Sequence, residues 1–253
     1  MFLNCICIKW GNLYAGEEVN RLYRAIQRNT TRKLRFFCMT DDASGIDPAI
    51  EILPLVAPPF EARMLAALEA MPFKGALRKI AMFRPDLIPD LQGPLIAFDL
   101  DLIITGDLDE LADFAPGFVC MASPFSPPGA RGTKGEGSVI KFEPRLHSFL
   151  YETMAENPEA CVRACQGSEQ THTSMSAHRM GMLKNFPGHW IRSFKKHCRP
   201  ARPLGWLLPA KLPSQAKVIC FHGNPKISAA LNGYYPNFMS AIGKSRWIAD
   251  YWY

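Results

Sequence analysis

The strongest constraint on this chain is the way its short apolar runs end. Residues 4–8, 34–39 and 95–98 are near-continuous apolar stretches. Each passes straight into polar or charged residues: Lys9, then Thr40-Asp41-Asp42, then Asp99-Leu100-Asp101. Runs of this length without polar alternation fit strands buried on both faces, the condition of a parallel sheet covered by helices. Between the first two, Val19, Leu22, Tyr23 and Ile26 recur at helical spacing, with Glu17 and Glu18 in the first turn and Asn29-Thr30 at the exit. Further helices are expected over 61–71, 75–83 and 146–155, and further strands over 50–55, 139–142 and 217–220. This alternation predicts an α/β fold, a Rossmann-like domain with a mostly parallel central sheet flanked by helices. Ligands bind such sheets beyond the carboxyl ends of the strands, where Lys9, Asp41 and Asp99 would gather.

Nothing in the chain marks a boundary between folding units. Its 253 residues are 48% hydrophobic and 21% charged, apolar enough for one sizeable core and too apolar for disorder. Residues 1–253 are therefore expected to form one domain. Residues 123–138, with three prolines and four glycines, read as a mobile surface loop, and from residue 181 onward the pattern turns irregular. The first eight residues meet Lys9 without a positive start or a cleavage site and read as a strand rather than a leader. No apolar run approaches the roughly 18 to 20 residues that cross a bilayer, so a cytoplasmic protein is expected. Eight cysteines with no C-x-x-C pair then read as reduced thiols, most of them small buried hydrophobes.

Charge divides the chain. Residues 1–169 carry 17 Lys+Arg against 22 Asp+Glu, a balance of -5, whereas residues 170–253 carry 12 against the single Asp250, a balance of +11. A cationic third of this kind suits a diphosphate-bearing small molecule, an anionic membrane face or nucleic acid. The aromatics Trp190, Phe194 and Trp206 interleave with its cations, but no helix-turn-helix, zinc-finger or RNP signature accompanies them, so nucleic acid is not the expected partner. The tail from Arg246 to Tyr253 joins one cation to four aromatics, a composition that, with the cationic third it ends, allows peripheral contact with an anionic membrane, the inner leaflet by preference, or packing on the body.

Two clusters carry chemistry. Asp99 and Asp101 flank one apolar residue at a strand end, where alternation would point both carboxylates the same way, toward one divalent cation such as Mn²⁺ or Mg²⁺. Far along the chain, Cys220-Phe221-His222-Gly223-Asn224-Pro225-Lys226 offers a third metal ligand in His222, a close backbone approach to phosphate at Gly223, and a cation in Lys226. Taken singly, each has an ordinary alternative: loop-entry aspartates that cap turns, and a polar histidine at a turn.

In order along the chain, K-W-G-x-x-Y (9–14), R-N-T-T (28–31), C-x-T-D-D (38–42), R-K-I-A-M-F (78–83), F-D-L-D (98–101) and F-H-G-N-P-K (221–226) resemble the GT-A-fold nucleotide-sugar glycosyltransferases, nearest the family-8-like bacterial type. The resemblance implies transfer of a sugar from a nucleoside-diphosphate donor, UDP in particular, to a hydroxyl of a glycan or glycolipid, with retention of anomeric configuration. It implies Mn²⁺ held by Asp99, Asp101 and His222, phosphate contacts from Lys226, Tyr14 near the uracil ring, and a donor contact from Lys79, with Lys9 and Gly223 beside the donor. Glu169-Gln170 stands where the family carries an Asp-Gln pair near the anomeric carbon, one methylene longer in its acid. Gly137-Ser138-Val139 resembles a sugar-binding N-S-G-V strand with the Asn absent, and the late segment lacks the spacing of H-x-x-G-x-K. Trp190-Ile191-Arg192-Ser193-Phe194-Lys195-Lys196 resembles a W-x-x-S-Y-K stretch of related bacterial sequences, in which Lys195 would touch a phosphate or belong to a solvated basic face. Two other readings stay open: a non-catalytic sugar-nucleotide or glycan binder on the same fold, and a haloacid-dehalogenase-type phosphatase using F-D-L-D as its nucleophile strand. The phosphatase reading gives H-G-N-P-K no role and lacks the hydroxyl expected near Ile103.

Overall fold

A computed structural model describes residues 2–127, 129–200, 208–234 and 242–253, so Trp206 lies outside the described residues. The central sheet has seven strands. In it β1 (Phe2–Lys9), β2 (Lys33–Thr40), β3 (Glu51–Pro54) and β4 (Leu95–Phe98) run parallel in the order β3-β2-β1-β4. A smaller sheet of β5 (Leu102–Ile104), β9 (Ile191–Ser193) and β10 (Val218–Cys220) has β10 in the middle, antiparallel to β5 and parallel to β9. The first sheet continues past β4 with β7 (Glu136–Phe142), antiparallel to both its neighbours, then β6 (Val119–Ala122) and β8 (Leu183–Asn185), which pair in parallel.

The apolar runs form strands because both of their faces are covered. On one face Leu3, Cys5, Cys7, Phe36, Cys38 and Ile96 pack with α1 (Gly16–Arg28), whose Val19, Leu22 and Ile26 are buried. On the other, Ile6, Ile8, Phe37 and Met39 pack with Met64 and Leu68 of α2 (Glu61–Glu69). That layer also holds α4 (Phe149–Glu156), α5 (Pro158–Ala164) and α6 (Glu169–Arg179), which bury Leu150, Val162 and Ala177 there. Each fully buried Leu, Ile or Phe contributes about 1.5–3 kcal/mol relative to its exposed state. The short α3 (Asp109–Asp113) closes the first layer through Leu111. A third cluster lies under the small sheet, where Ile103, Phe194, Ile219 and Phe221 meet Ile227 of α7 (Ile227–Asn232) and Ile248.

Three expectations need correction. Residues 75–83 do not form an α-helix; Leu77–Phe83 make a tighter 3-10 turn. This segment is confined between Gly75 and Pro85, and Leu77, Ile80, Ala81, Met82 and Phe83 are all buried, with only Arg78 and Lys79 partly exposed, so it lacks the continuous polar face of a regular amphipathic helix. Residues 123–138 are not wholly a surface loop, since β7 begins at Glu136. Thr133 is buried, and the Ser174 hydroxyl lies 3.0 Å from its Oγ1 and accepts the Lys134 amide at 3.0 Å, tying this stretch to α6. Asp99 and Asp101 lie outside any strand, on the bend between β4 and β5, so strand alternation is not what aims them.

All eight cysteines are free, and seven are buried, as thiols that serve as small hydrophobes should be. In the tail, the Trp247 indole donates to the Ala210 carbonyl at 2.9 Å, and Arg21 and Arg28 cover the rings of Trp252 and Tyr253 at 4.4 and 3.8 Å. Of the two readings of the tail, packing on the body is the one the structure adopts. Among the described residues no helix is long and apolar enough to cross a membrane.

Candidate functional site

The chain places β1 first, adds β2 and β3 on one side, and returns to lay β4 on the other. The crevice between the carboxyl ends of β1 and β4 is therefore the switch point of the sheet, where open α/β sheets receive ligands. A cavity of ≈ 240 Å³ opens there, lined among others by Trp10, Tyr14, Lys79, Asp99 and Asp101. A larger one of ≈ 390 Å³ lies at the opposite ends of the strands, around Leu3, Asn4 and Lys141. There the Asn4 amide already donates to the Gln92 and Pro94 carbonyls and the Lys141 ammonium to those of Ala112 and Phe114, which leaves those groups satisfied.

Lys79, carried by the 3-10 turn, forms an ion pair with Asp99. Burial opposes its charge, yet Asp99, Glu169 and Asp101 together hold its pKa above the ordinary lysine value. Asp101 has the converse problem: burial, with the Asp99 charge next, pushes its carboxyl up to about 6, while Lys226 and Lys79 act against that rise. Tyr14 is also raised, by burial and then by Asp101 and Asp99. Two carboxylates converge here on one small polar volume.

Glu169 opens α6 and is buried, which disposes of a surface-charge role. The Thr173 hydroxyl donates to its Oε1 at 2.9 Å. Burial pushes its carboxyl up to about 7, with Lys79 and Thr173 opposing and Asp99 adding to the rise. Gln170 accepts the Gly137 amide at 3.2 Å. That approach requires glycine, because a β-carbon at 137 would stand 2.9 Å from Cβ of Gln170. Ser138 accepts the Asp99 amide through its carbonyl at 3.0 Å. The Gly137-Ser138 strand, the acidic bend and the Glu169-Gln170 helix start are thus neighbours.

The late cluster arrives through the small sheet. Cys220 pairs with Leu102 in the antiparallel β5-β10 ladder, and the Phe221 amide donates to the Asp101 carbonyl at 2.8 Å. Two segments about 120 residues apart are therefore delivered side by side, a pairing invisible in either motif alone. Beyond Phe221, Gly223 takes φ +72°, and the position of its absent β-carbon lies 3.0 Å from Lys195 Nζ. Lys226 Nζ donates to the Tyr14 hydroxyl at 3.4 Å and stands 3.9 Å from Asp101. Burial, and then the crowding of Arg199, Lys226 and Lys196, lowers the pKa of Lys195, with Asp101 as the opposing charge. Cations in such a cluster favour an anion among them.

Of the residues expected at the site, Tyr14, Lys79, Asp99, Asp101, Gly223 and Lys226 come together, with Glu169 and Gln170 behind Lys79. Lys9 is turned away: its ammonium donates to the Asp42 carbonyl at 2.8 Å and pairs with that carboxylate at 3.5 Å, bracing the loops after β1 and β2. Asp41 does similar work by accepting the Gly11 amide at 3.2 Å. His222 has its Nε2 2.7 Å from the Ser193 hydroxyl and its ring stacked on Phe125 at 5.6 Å. Among the described residues no three His, Cys, Asp or Glu side chains converge as a metal-holding group. The Asp99-Asp101 pair nevertheless offers hard oxygen donors of the kind a divalent cation takes, at a cavity where burial and then the Asp99 charge raise the Asp101 pKa. Trp10 and Ser193 were not singled out by motif reasoning, although both sit inside quoted motifs.

No protein-family model matches the chain, and no curated protein matches it. Solved structures do match in fold. A galactosyltransferase LgtC in complex with donor and acceptor sugar analogs superposes with a TM-score of 0.56 at 11% identity, over 89% of each chain. Mouse xyloside xylosyltransferase 1 gives 0.54 at 14% identity, over 89% of this chain and 98% of that one. The glycosyltransferase GlyE of Streptococcus pneumoniae gives 0.58 at 12%, over 94% of this chain and 58% of its own length. The chain therefore has the α/β fold of the GT-A type shared by these glycosyltransferases.

Proposed function

We propose that this protein is a glycosyltransferase that takes a sugar from a nucleoside-diphosphate donor, UDP by preference, and passes it to a hydroxyl of a glycan or glycolipid. The observation that carries this reading is the junction at the switch-point cavity. There the carboxylate pair Asp99-Asp101 faces Lys226, which also reaches Tyr14. Acids that suit a cation and cations that suit a diphosphate meet at one seam, next to aromatic rings that suit a base. The solved enzymes that share the fold, one of them holding donor and acceptor sugar analogs, point the same way.

Each residue has a chemical task under this reading. Asp99 and Asp101 would hold Mn²⁺ or Mg²⁺, with His222 the third ligand that the resemblance implies, and the metal would supply charge neutralisation for the diphosphate. Lys226 and Lys195 stabilise the negative charge that grows on the departing diphosphate as the bond from the anomeric carbon breaks. Tyr14 and Trp10 present ring surface to the base. Lys79 keeps Asp99 and Glu169 apart and correctly placed, and Glu169 with Gln170 supports the positive character of the sugar in the transition state, with retention of configuration. The same chemistry suits a cytoplasmic donor pool.

A titration of UDP, GDP and ADP with and without Mn²⁺, read by thermal shift, tests the reading. Stabilisation by one nucleoside diphosphate that requires Mn²⁺ supports it, by mass action on the folded state. No stabilisation by any of them defeats it. A non-catalytic binder on the same fold is separated by slow hydrolysis of the matching sugar donor, which an active transferase shows and a binder does not.

A further inference from the structure

An open groove of ≈ 530 Å³ lies at the end of the small sheet away from the seam. β5 leads away from Asp101 and the antiparallel β10 leads toward Phe221, so the turn after β5 and the loop before β10 meet at that far end. Four residues of chain carry β5 from Asp101 to Thr105, about 13 Å at about 3.3 Å per residue. Trp190, the first residue of the W-x-x-S-F-K stretch, forms a third bank just before β9. Hydrogen bonds tie the three banks together. The Thr105 amide donates to the Lys217 carbonyl at 2.8 Å and its hydroxyl to that of Ala216 at 2.7 Å, while the Lys217 and Val218 amides both donate to the Trp190 carbonyl, at 2.7 and 3.0 Å. The groove is thus pre-formed, which spares a ligand the cost of ordering it.

We propose that this groove is a saccharide-binding subsite, separate from the switch-point cavity, that takes neutral sugar units of a glycan. Its lining suits a polyol. Glu110 is about half exposed, and its carboxylate keeps acceptor positions beyond the one that Lys217 takes at 3.1 Å. Ser214, Gln215 and His189 are exposed and bring hydroxyl, amide and imidazole groups, which both donate and accept. The half-buried Trp190 ring, backed by Phe114 and Phe186, supplies apolar surface for the C–H face of a pyranose. Because the lysine that lines the groove is already paired with Glu110, a neutral ligand is favoured there over an anionic one, in contrast to the cation cluster around Gly223. Gln215 holds φ +62°, a region that favours glycine, yet it carries a long exposed amide. A turn alone is better served by glycine, and backbone strain of this kind collects where a side chain has a task. Binding rests on the groove's own chemistry. Its use, to hold a distal unit of the acceptor while the reacting hydroxyl lies at the seam, rests on the proposed transfer reaction; such a hold raises the local concentration of acceptor.

Amide NMR of the full chain, titrated without nucleotide with cellotriose, galactotriose, xylotriose and chitotriose, tests the proposal. At least one trisaccharide should shift the amides of 105–110 and 214–217 and leave those of Gly223 and Lys226 in place. Gln215→Gly relieves the left-handed backbone, so the melting temperature should hold or rise while affinity for that trisaccharide falls about fivefold, the effect of one lost hydrogen bond. A purely structural Gln215 moves stability and leaves affinity alone. Glu110→Gln should weaken binding about tenfold, since a charged acceptor is lost. No shift at the groove with any of the four, or unchanged affinity in both variants, overturns the proposal, and tighter binding of trigalacturonic acid overturns the preference for a neutral ligand. UDP with Mn²⁺ is then titrated into the same samples. If the nucleotide fails to bind while the groove shifts stand, the transfer reading and the acceptor role fall and the saccharide site is upheld. If the nucleotide binds and the trisaccharides shift only residues of the switch-point cavity, the groove proposal falls alone.

Discussion

The two parts of the molecule that meet at the site hold their charges in different ways. Up to residue 169, cations find carboxylates within the same part: Arg35 with Glu51 and Asp90, Arg32 with Asp113, Arg63 with Glu159, Lys79 with Asp99. In residues 170–253 the described ion pairs, Lys217 with Glu110 at 3.1 Å and Lys226 with Asp101 at 3.9 Å, both reach back into the first part. They must, because Asp250 is the only acidic side chain in that third. The first part has acids to spare, and the second has cations to spare. The second part is completed by the acids of the first or by an anionic ligand, and the seam is where both are within reach.

The largest expected effect tests whether the seam is a ligand site at all. Asp101→Asn keeps shape and removes one of the two oxygen sets, so Mn²⁺-dependent UDP binding should weaken by more than about 100-fold, beyond what outer-shell partners cost. Titration calorimetry at fixed Mn²⁺ reads it. Equal affinity in the variant would mean that the cations alone hold the diphosphate, and that the acids close the fold rather than the ligand.

Next comes a place where one cation of the first part serves two carboxylates. Lys79 serves two carboxylates, Asp99 and Glu169, and Glu169 is pushed up to about 7 by burial. A carboxyl whose folded pKa exceeds its unfolded one supports the fold fully below about pH 4.5, and that support is lost as pH rises through about 7. The difference in unfolding free energy between wild type and Glu169→Gln should therefore shift against wild type by on the order of 3 kcal/mol across that window. Denaturant melts at pH 4.5 and pH 8 measure it; a flat difference would place Glu169 in a polar, charge-tolerant setting.

The contrast between the parts also explains what could be read in advance. The strands of the first part were legible because burial on both faces writes itself as unbroken apolar runs, and residues 95–98 match β4 residue for residue. The Glu17 and Glu18 start of α1 was legible for a similar local reason. Of the small sheet only β10 was legible, from the apolar run at 217–220; β9 was not, since it is three residues long and is paired by β10 alone. The same holds for the site: the acidic bend and the H-G-N-P-K loop were each visible, but their meeting rests on the Phe221–Asp101 backbone bond. A strand-end lysine can serve a ligand crevice or the next loop with equal ease, and the sequence could not show that the Lys9 ammonium bonds Asp42.

A smaller effect concerns the cation that serves the ligand. Lys226→Met keeps the length of the side chain and removes one charge from the cluster around Gly223. UDP affinity should fall about tenfold, or about 1.4 kcal/mol, and the loss should shrink as salt rises from 0.05 to about 0.5 M through screening. A loss independent of salt would assign Lys226 to packing against Tyr14 instead.

The smallest effect tests the other bridge across the seam, far from the cavity. Lys217 is nearly buried while its partner Glu110 is about half exposed, and the lysine also stands 5.0 Å over the Trp190 ring. An ion pair with one member in water gains little, because solvent screens it and ordering the side chains opposes it, so the pair should be worth about 0.2–1 kcal/mol. The ring contact is less exposed and adds a comparable amount. A double-mutant cycle of Lys217→Met and Glu110→Gln isolates the pair from the ring, since the Glu110 change leaves the cation over Trp190. If the coupling lies within that small range, Lys217 closes the fold as an ordinary bridge and the site alone distinguishes Lys226. If it exceeds about 2 kcal/mol, well above the range for such pairs, the basic third depends on the acids of the first part for its stability. A diphosphate would then complete a seam that protein charges already hold together.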